Sequence, residues 1–251
     1  MHPAAVGFQC PDDVAAGSAG MRAPRRTTGL RLAGSRWGPV TLTLIGVNVA
    51  MFLLTAVLTA VAGGDPLDNS GAELFQQLAQ VPVFVEAGDW WRPFTAAFLH
   101  YGIVHLALNM LSLLLFGSEL ERLLGRGRYL TVYLVSIAGG AAAIQLFGNP
   151  FGQVAGASTA IYGLMGAFGV VLLHQRQDLR GLFTLLGINL VISFLPGVSL
   201  IGHLGGLVGG AAAAAVLVAA RRRRPLAVAG VAVLVLVLLA LVYSGLGGGL
   251  S

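Results

Sequence analysis

Ile201-Gly202-His203-Leu204-Gly205-Gly206-Leu207-Val208-Gly209-Gly210, then ten more apolar residues, then Arg221-Arg222-Arg223-Arg224, is the stretch on which the fold turns. Residues 201–220 carry one ionisable side chain, His203. A helix that crosses a bilayer needs about 20 apolar residues, and a lipid-exposed chain must satisfy its backbone polar groups internally. The stretch therefore reads as a transmembrane helix. Gly205 and Gly209 are four apart, as are Gly206 and Gly210, so small faces line up where helix backbones approach closely. The arginine run that closes the stretch reads as a stop to translocation rather than an anionic-lipid site.

Working outward, six further apolar segments appear, at 40–62, 96–117, 129–147, 158–174, 181–196 and 226–246. The sequence thus predicts an all-α polytopic membrane protein. Six helices form a bundle over residues 39–220. The seventh, nearly pure Val, Leu and Ala, is appended within residues 221–251 and faces lipid. Residues 1–38, polar and rich in Gly, Ala and Arg, read as a disordered tail. The 251 residues are 56% hydrophobic and 10% charged, too little charge to cover a soluble domain of this length.

The net charge of +5 could suggest a nucleic-acid partner, but its placement argues against one. All 15 basic residues are arginine, and most stand beside apolar segments. Arg22, Arg25, Arg26, Arg31, Arg36, then Arg122, Arg126, Arg128, then Arg176, Arg180, then Arg221 to Arg224 mark alternate connections. The 63–95 connection carries five acidic residues against Arg92. This alternation predicts a cytoplasmic N-terminus and an external C-terminus. The single cysteine, Cys10, permits no internal disulfide.

Polar residues in or beside the spans are the informative ones: His100, His105, Asn109, Ser158, Tyr162, Asn189 and His203. Such groups usually face the bundle interior or a wet cavity. Segments two, four and six run in one direction, so His100, His105, Ser158 and His203 reach similar depth near the outer face. A serine becomes a useful nucleophile when a base takes its proton, and histidine is the usual base near neutral pH. His105 and Asn109 share a helix face at i, i+4 and offer donors for an oxyanion. Ser158 opens a helix and adds its own amide. Tyr162, one turn on, is placed to pack against an incoming imidazole. Each residue also has a bland reading. Ser158 alone reads as an N-cap, a lone histidine as an interhelical partner, His100 as structural, Tyr162 as ordinary packing and Asn189 as interhelical glue.

Taken together these motifs resemble the rhomboid proteases. Gly156-Ala157-Ser158-Thr159-Ala160-Ile161-Tyr162-Gly163 resembles their serine motif, and Gly202-His203-Leu204-Gly205-Gly206 their histidine motif. The stretch from His100 through His105 to Asn109 resembles their second-helix motif. Trp91-Arg92 and Glu121-Arg122-Leu123-Leu124-Gly125 resemble a loop pair and a turn of the same family. The resemblance implies an intramembrane serine endopeptidase, with Ser158 as nucleophile and His203 as general base. It implies an oxyanion hole of His105, Asn109 and the Ser158 amide, with Tyr162 supporting His203. Gly205 and Gly206 would let the sixth helix press on the fourth, with Gly156 and His100 in supporting places. Segment five and the loop around Pro196 would be the mobile side where a substrate helix enters. The implied partners are transmembrane protein substrates and the lipid bilayer, with no cofactor, metal or nucleic acid. In a bacterium the host would be the plasma membrane.

Two departures stand out. Thr159 occupies a place where the family often has glycine, and a β-branched residue there could crowd the helix contact. Val6-Gly7-Phe8-Gln9-Cys10-Pro11 looks like the tail of a small zinc module, but Asp13 stands where a second cysteine would complete Cys-x-x-Cys. One thiol cannot build a tetrahedral zinc site. Two competing functions stand beside the protease: a silent relative that retains membrane clients, favoured by Thr159, and a transporter. A transporter calls for midplane polar groups and often repeat symmetry, neither of which is evident.

Overall fold

The computed structural model describes residues 2–3, 8–9, 37–193 and 198–244. The chain divides into two units, residues 1–33 and 34–251. In the first, the described part is a short antiparallel pairing of β1 (His2–Pro3) with β2 (Phe8–Gln9). Cys10, Asp13 and Pro196, on which sequence expectations fall, lie outside the described residues.

The second unit is helical. Its elements are α1 (Pro39–Val61), α2 (Glu73–Leu78), α3 (Pro82–Glu86), α4 (Arg92–Thr95), α5 (Gly102–Leu124) and α6 (Arg126–Phe147). They are followed by α7 (Ser158–His174), α8 (Arg180–Ile192), α9 (Leu200–Ala219) and α10 (Arg224–Tyr243). Among the described residues α1, α5, α6, α9 and α10 are long and apolar enough to cross a membrane. The other two apolar helices are shorter. α7 has 17 residues, about 25 Å of rise against a hydrocarbon core of about 30 Å. The chain before it, residues 148–157, is non-helical. Such chain is tolerated at membrane depth only where protein buries it or water lines it.

The second apolar segment departs from its expected bounds of 96–117. Residues 96–98 form a separate 3-10 turn, and the helix starts at Gly102 and continues to Leu124 through a π-helical stretch, Leu113–Gly117. Arg122 therefore lies on a helix, not in a loop. Glu121 explains the extension. Its buried carboxylate accepts from the Val40 and Thr41 amides at 3.1 and 2.8 Å and from Thr41 Oγ1 at 2.9 Å. It thereby caps the otherwise unpaired N-terminus of α1 and suits its positive dipole end.

The 63–95 connection is ordered by its own carbonyls. Trp91 Nε1 donates to Gln77 O, Thr95 Oγ1 to Leu78 O, and Arg92 Nη1 to Gln76 O and Ala79 O. Together they satisfy the C-terminal carbonyls of α2, while Arg92 Nε holds Asp89 at 2.7 Å. Gln80 and Val154 exchange backbone hydrogen bonds, tying this connection to the chain that leads into α7. Tyr243 at the end of α10 donates to Trp90 O at 2.6 Å. This end of the bundle thus gathers the 63–95 connection, the chain before α7 and the end of α10.

The centre is α6, α7 and α9, packed through glycine. Gly205 and Gly209 turn to α6, where a Cβ on Gly205 would meet Gly139 O at 2.6 Å. Gly206 and Gly210 turn to α7, against the carbonyls of Thr159 and Gly163. The expectation that Gly205 presses on α7 is thus corrected. Residues 205 and 206 are 100° apart on a helix, so neighbouring glycines serve two different partners. α10 packs beside α6 and leaves Val228, Val233, Leu236 and Val237 exposed, as an appended lipid-facing helix would.

Candidate active site

Ser158 is the first residue of α7, and the position that flanks the helix is Ala157. The serine side chain is therefore not the N-cap that its position in sequence suggested. Its Oγ is instead 2.7 Å from His203 Nε2. His203 stands in the first turn of α9, which Ser199 caps by accepting from the Gly202 amide at 3.1 Å. The Gly206 contact with α7 lies one turn below His203 and one residue after Ser158 in the facing helix. Close backbone approach at that point brings the two side chains within hydrogen-bond reach.

Tyr162 lies one turn along α7 and stacks on the His203 ring, with centroids 4.1 Å apart and planes 13° apart. Its hydroxyl is 2.7 Å from Ser193 Oγ, and Ser193 Oγ is 2.7 Å from His203 Nδ1. Reading the sequence missed Ser193. Its signal was faint, a single hydroxyl at the end of the fifth apolar segment.

His105 projects from α5 toward the other side of Ser158. The Tyr101 amide donates to His105 Nδ1 at 3.2 Å, and the Tyr101 ring stacks on the imidazole at 5.9 Å. A neutral imidazole that accepts at Nδ1 carries its proton at Nε2. A Cβ built on Gly156 would sit 3.0 Å from His105 Nε2 and 3.5 Å from Ser158 Oγ. That glycine has φ of +134°, a backbone region side chains avoid, so the space between the histidine and the serine is kept open. Tyr101 was also missed, although it sits four residues before His105 inside the second-helix motif.

The remaining residues are less tightly joined to the serine. Asn109 is buried, and its amide donates to the His105 carbonyl of its own helix at 2.8 Å. Among the described residues no hydrogen bond links the side chain of His105 or Asn109 to Ser158. His100 is not on α5 at all. It precedes the helix, packs its ring 5.2 Å from that of His105, and is fully buried with both ring nitrogens unpartnered among the described residues. The sequence placed it within the 96–117 segment; the helix starts later because the chain turns at Gly102, whose amide reaches Asn69 Oδ1 at 3.3 Å. The Asn189 side chain donates to the Leu185 carbonyl within α8 and stays outside the cluster. Thr159 does not crowd the α7 contact. Its methyl fills the space that a Cβ on Gly140 of α6 would need.

Fold and site define a class: a polytopic helical membrane protein with a serine and a histidine hydrogen-bonded across two glycine-packed helices. The rhomboid domain family model matches residues 87–220, and the chain belongs to the rhomboid family. It is 35% identical over 172 residues to "Rhomboid protease GluP" of Bacillus subtilis, covering 66% of this chain and 32% of that protein. Against "Putative rhomboid protease YdcA" of the same organism it is 38% identical over 138 residues, covering 50% of this chain and 66% of the relative. Against "RHOMBOID-like protein 1" of Arabidopsis thaliana it is 37% identical over 137 residues, covering 52% and 35%. The matched stretch is thus about a third of the length of two of these relatives and two thirds of the other.

Proposed function

We propose that this chain is an intramembrane serine endopeptidase that cuts transmembrane segments of other membrane proteins near the outer membrane face, using Ser158 and His203. The observation that carries the reading is the 2.7 Å contact between Ser158 Oγ and His203 Nε2. Ser158 attacks the scissile carbonyl as its proton passes to His203 Nε2. The oxyanion that forms takes donors from the Ser158 amide, unpaired at the helix start, and from His105 Nε2–H beside Gly156, with Asn109 as a third. His203 then returns the proton to the leaving amine, and water hydrolyses the acyl ester by the same route in reverse. A helix hides its amide bonds, so substrates whose spanning helix unwinds easily are favoured.

Orientation is read from charge. Arg122, Arg126, Arg128, Arg176, Arg180 and Arg221 to Arg224 stand in the connections or on the helix ends beside them, at the end opposite Ser158, where Glu121 meets α1. The positive-inside rule makes that end cytoplasmic and the Ser158 end external; in a bacterium the membrane is the plasma membrane. The client-retaining alternative rested on Thr159, which the Gly140 notch accommodates.

The test is cleavage of a reporter transmembrane segment by purified protein in liposomes, with Ser158→Ala and His203→Ala beside the wild type. Product from the wild type alone supports the reading. Equal cleavage by both variants refutes the dyad, and silence of all three, with no fluorophosphonate labelling of Ser158, refutes the protease.

A further inference from the structure

A buried hydroxyl in contact with His203 has no part in the dyad chemistry so far. Ser193 closes α8, is 3% exposed, and its Oγ has three polar neighbours. These are the Asn189 carbonyl oxygen at 2.9 Å, the Tyr162 hydroxyl at 2.7 Å and His203 Nδ1 at 2.7 Å. A serine hydroxyl has one proton and two acceptor lone pairs. The Asn189 carbonyl can only accept, so the single proton of Ser193 goes there. Both lone pairs then receive donors, one from the Tyr162 O–H and the other from His203 Nδ1–H. His203 therefore carries its proton on Nδ1 and turns a bare Nε2 to the Ser158 hydroxyl. That tautomer is the one a general base for Ser158 must have.

We propose that Ser193 is a positioning residue for the reaction: it fixes the tautomer and ring orientation of His203 and shares the charge of the imidazolium as it forms. This rests on the Ser158–His203 reading above. In soluble Ser-His-Asp sites a buried carboxylate bonded to Nδ1 performs that task. Here a neutral hydroxyl performs it, with its polarity set by a helix carbonyl one turn away. The acceptor sits on the least enclosed helix of the bundle. Leu182 is buried on α8, whereas Phe183, Ile188 and Val191 are exposed. Correct poise of His203 thus depends on α8 being seated against α7 and α9.

The experiment compares wild type, Ser193→Ala and Ser193→Thr in the liposome cleavage assay, with thermal unfolding and 15N spectra of the histidine-labelled full chain. A hydrogen bond to a group that becomes charged is worth enough to change a rate roughly 10- to 100-fold. Ser193→Ala is expected to lower kcat by about that factor with KM little changed, and Ser193→Thr to recover most of the loss. The wild-type spectrum should show His203 protonated at Nδ1, and the Ser193→Ala spectrum a mixture of tautomers. Wild-type kcat in Ser193→Ala overturns the proposal. So does a loss that follows the melting temperature and is not recovered by threonine, or a wild-type His203 protonated at Nε2. If Ser158→Ala and His203→Ala are inactive while Ser193→Ala is fully active, only this proposal fails. If those two variants cleave normally, the dyad itself fails and Ser193 with it.

Discussion

Gly206→Ala puts the close approach of α9 to α7 under direct test. A Cβ at residue 206 would run into the Thr159 carbonyl group, with its carbon at 2.9 Å and the Thr159 methyl at 3.1 Å. These are backbone atoms and a β-branched methyl, so no flexible side chain can swing aside. Ordinary contact between carbon atoms lies near 3.5–4 Å, so the two helices must separate by on the order of 1 Å. The hydrogen bond from the Ser158 hydroxyl to His203 Nε2 crosses the same gap one turn above and is 2.7 Å long. Separation stretches it to about 3.5 Å or more, beyond useful hydrogen-bond range. Overpacking of this kind costs about 1–3 kcal/mol of stability, and a displacement of about 1 Å at reacting groups can cost about 10²-fold in rate. Cleavage in liposomes should therefore fall by about two orders of magnitude, a larger loss than the drop in unfolding midpoint would suggest. Gly46→Ala on α1, where a Cβ meets nothing within 4 Å, is the control and should change neither. Wild-type cleavage by Gly206→Ala would refute the claim that this contact sets the distance between Ser158 and His203.

Three further outcomes are expected. Glu121→Ala leaves the Val40 and Thr41 amides without their acceptor and should destabilise the bundle by about 2–3 kcal/mol, read as loss of helicity in a denaturant titration. Tyr162→Phe keeps the stack on His203 and should lower kcat only a few-fold, whereas Tyr162→Leu removes the 4.1 Å ring contact and should lower it about tenfold or more. Arg92→Lys cannot reproduce a fork that holds Asp89 and two α2 carbonyls together. It should lower the unfolding midpoint and speed limited proteolysis within residues 73–95.

Much of the fold was legible because the bilayer constrains it heavily. Apolar length fixed the helices, and glycine spacing marked the faces that touch. The start of α7 at Ser158 came from the sequence to the residue, because Gly148, Asn149, Pro150, Gly152 and Gly156 punctuate the chain before it. The start of α5 was missed by six residues, since Ala96 to Tyr101 is as apolar as the helix it precedes. Its end at Leu124 was missed because Glu119 and Glu121 look like loop residues until the acceptor role of Glu121 is seen. That role joins residues 80 positions apart, and no local pattern encodes it. The candidate site followed the same division. Ser158, His105 and His203 were visible as ionisable or nucleophilic groups in apolar surroundings. Ser193 and Tyr101 were not, because a single hydroxyl at a span end or a tyrosine in a loop costs little in a membrane protein and so raises no flag.

What the missed residues share is neutrality, and the membrane gives a reason for it. An ionised carboxylate beside His203 would have to be held in a site 4% exposed at the histidine, among helices that face lipid. Burying an unpaired charge there costs several kcal/mol, and no cation among the described residues bonds to this cluster to offset it. A hydroxyl meets the same geometric need at lower desolvation cost, provided something dictates which way its proton points. The Asn189 carbonyl does so for Ser193, and the Tyr101 amide does the corresponding task at His105 Nδ1. Two backbone groups thus hold the two histidines in opposite tautomers on either side of Ser158: His203 with an open Nε2 to accept, and His105 with Nε2–H to donate. Each imidazole is also clamped by a stacked tyrosine, so orientation that a soluble site draws from charge is drawn here from aromatic faces and helix carbonyls.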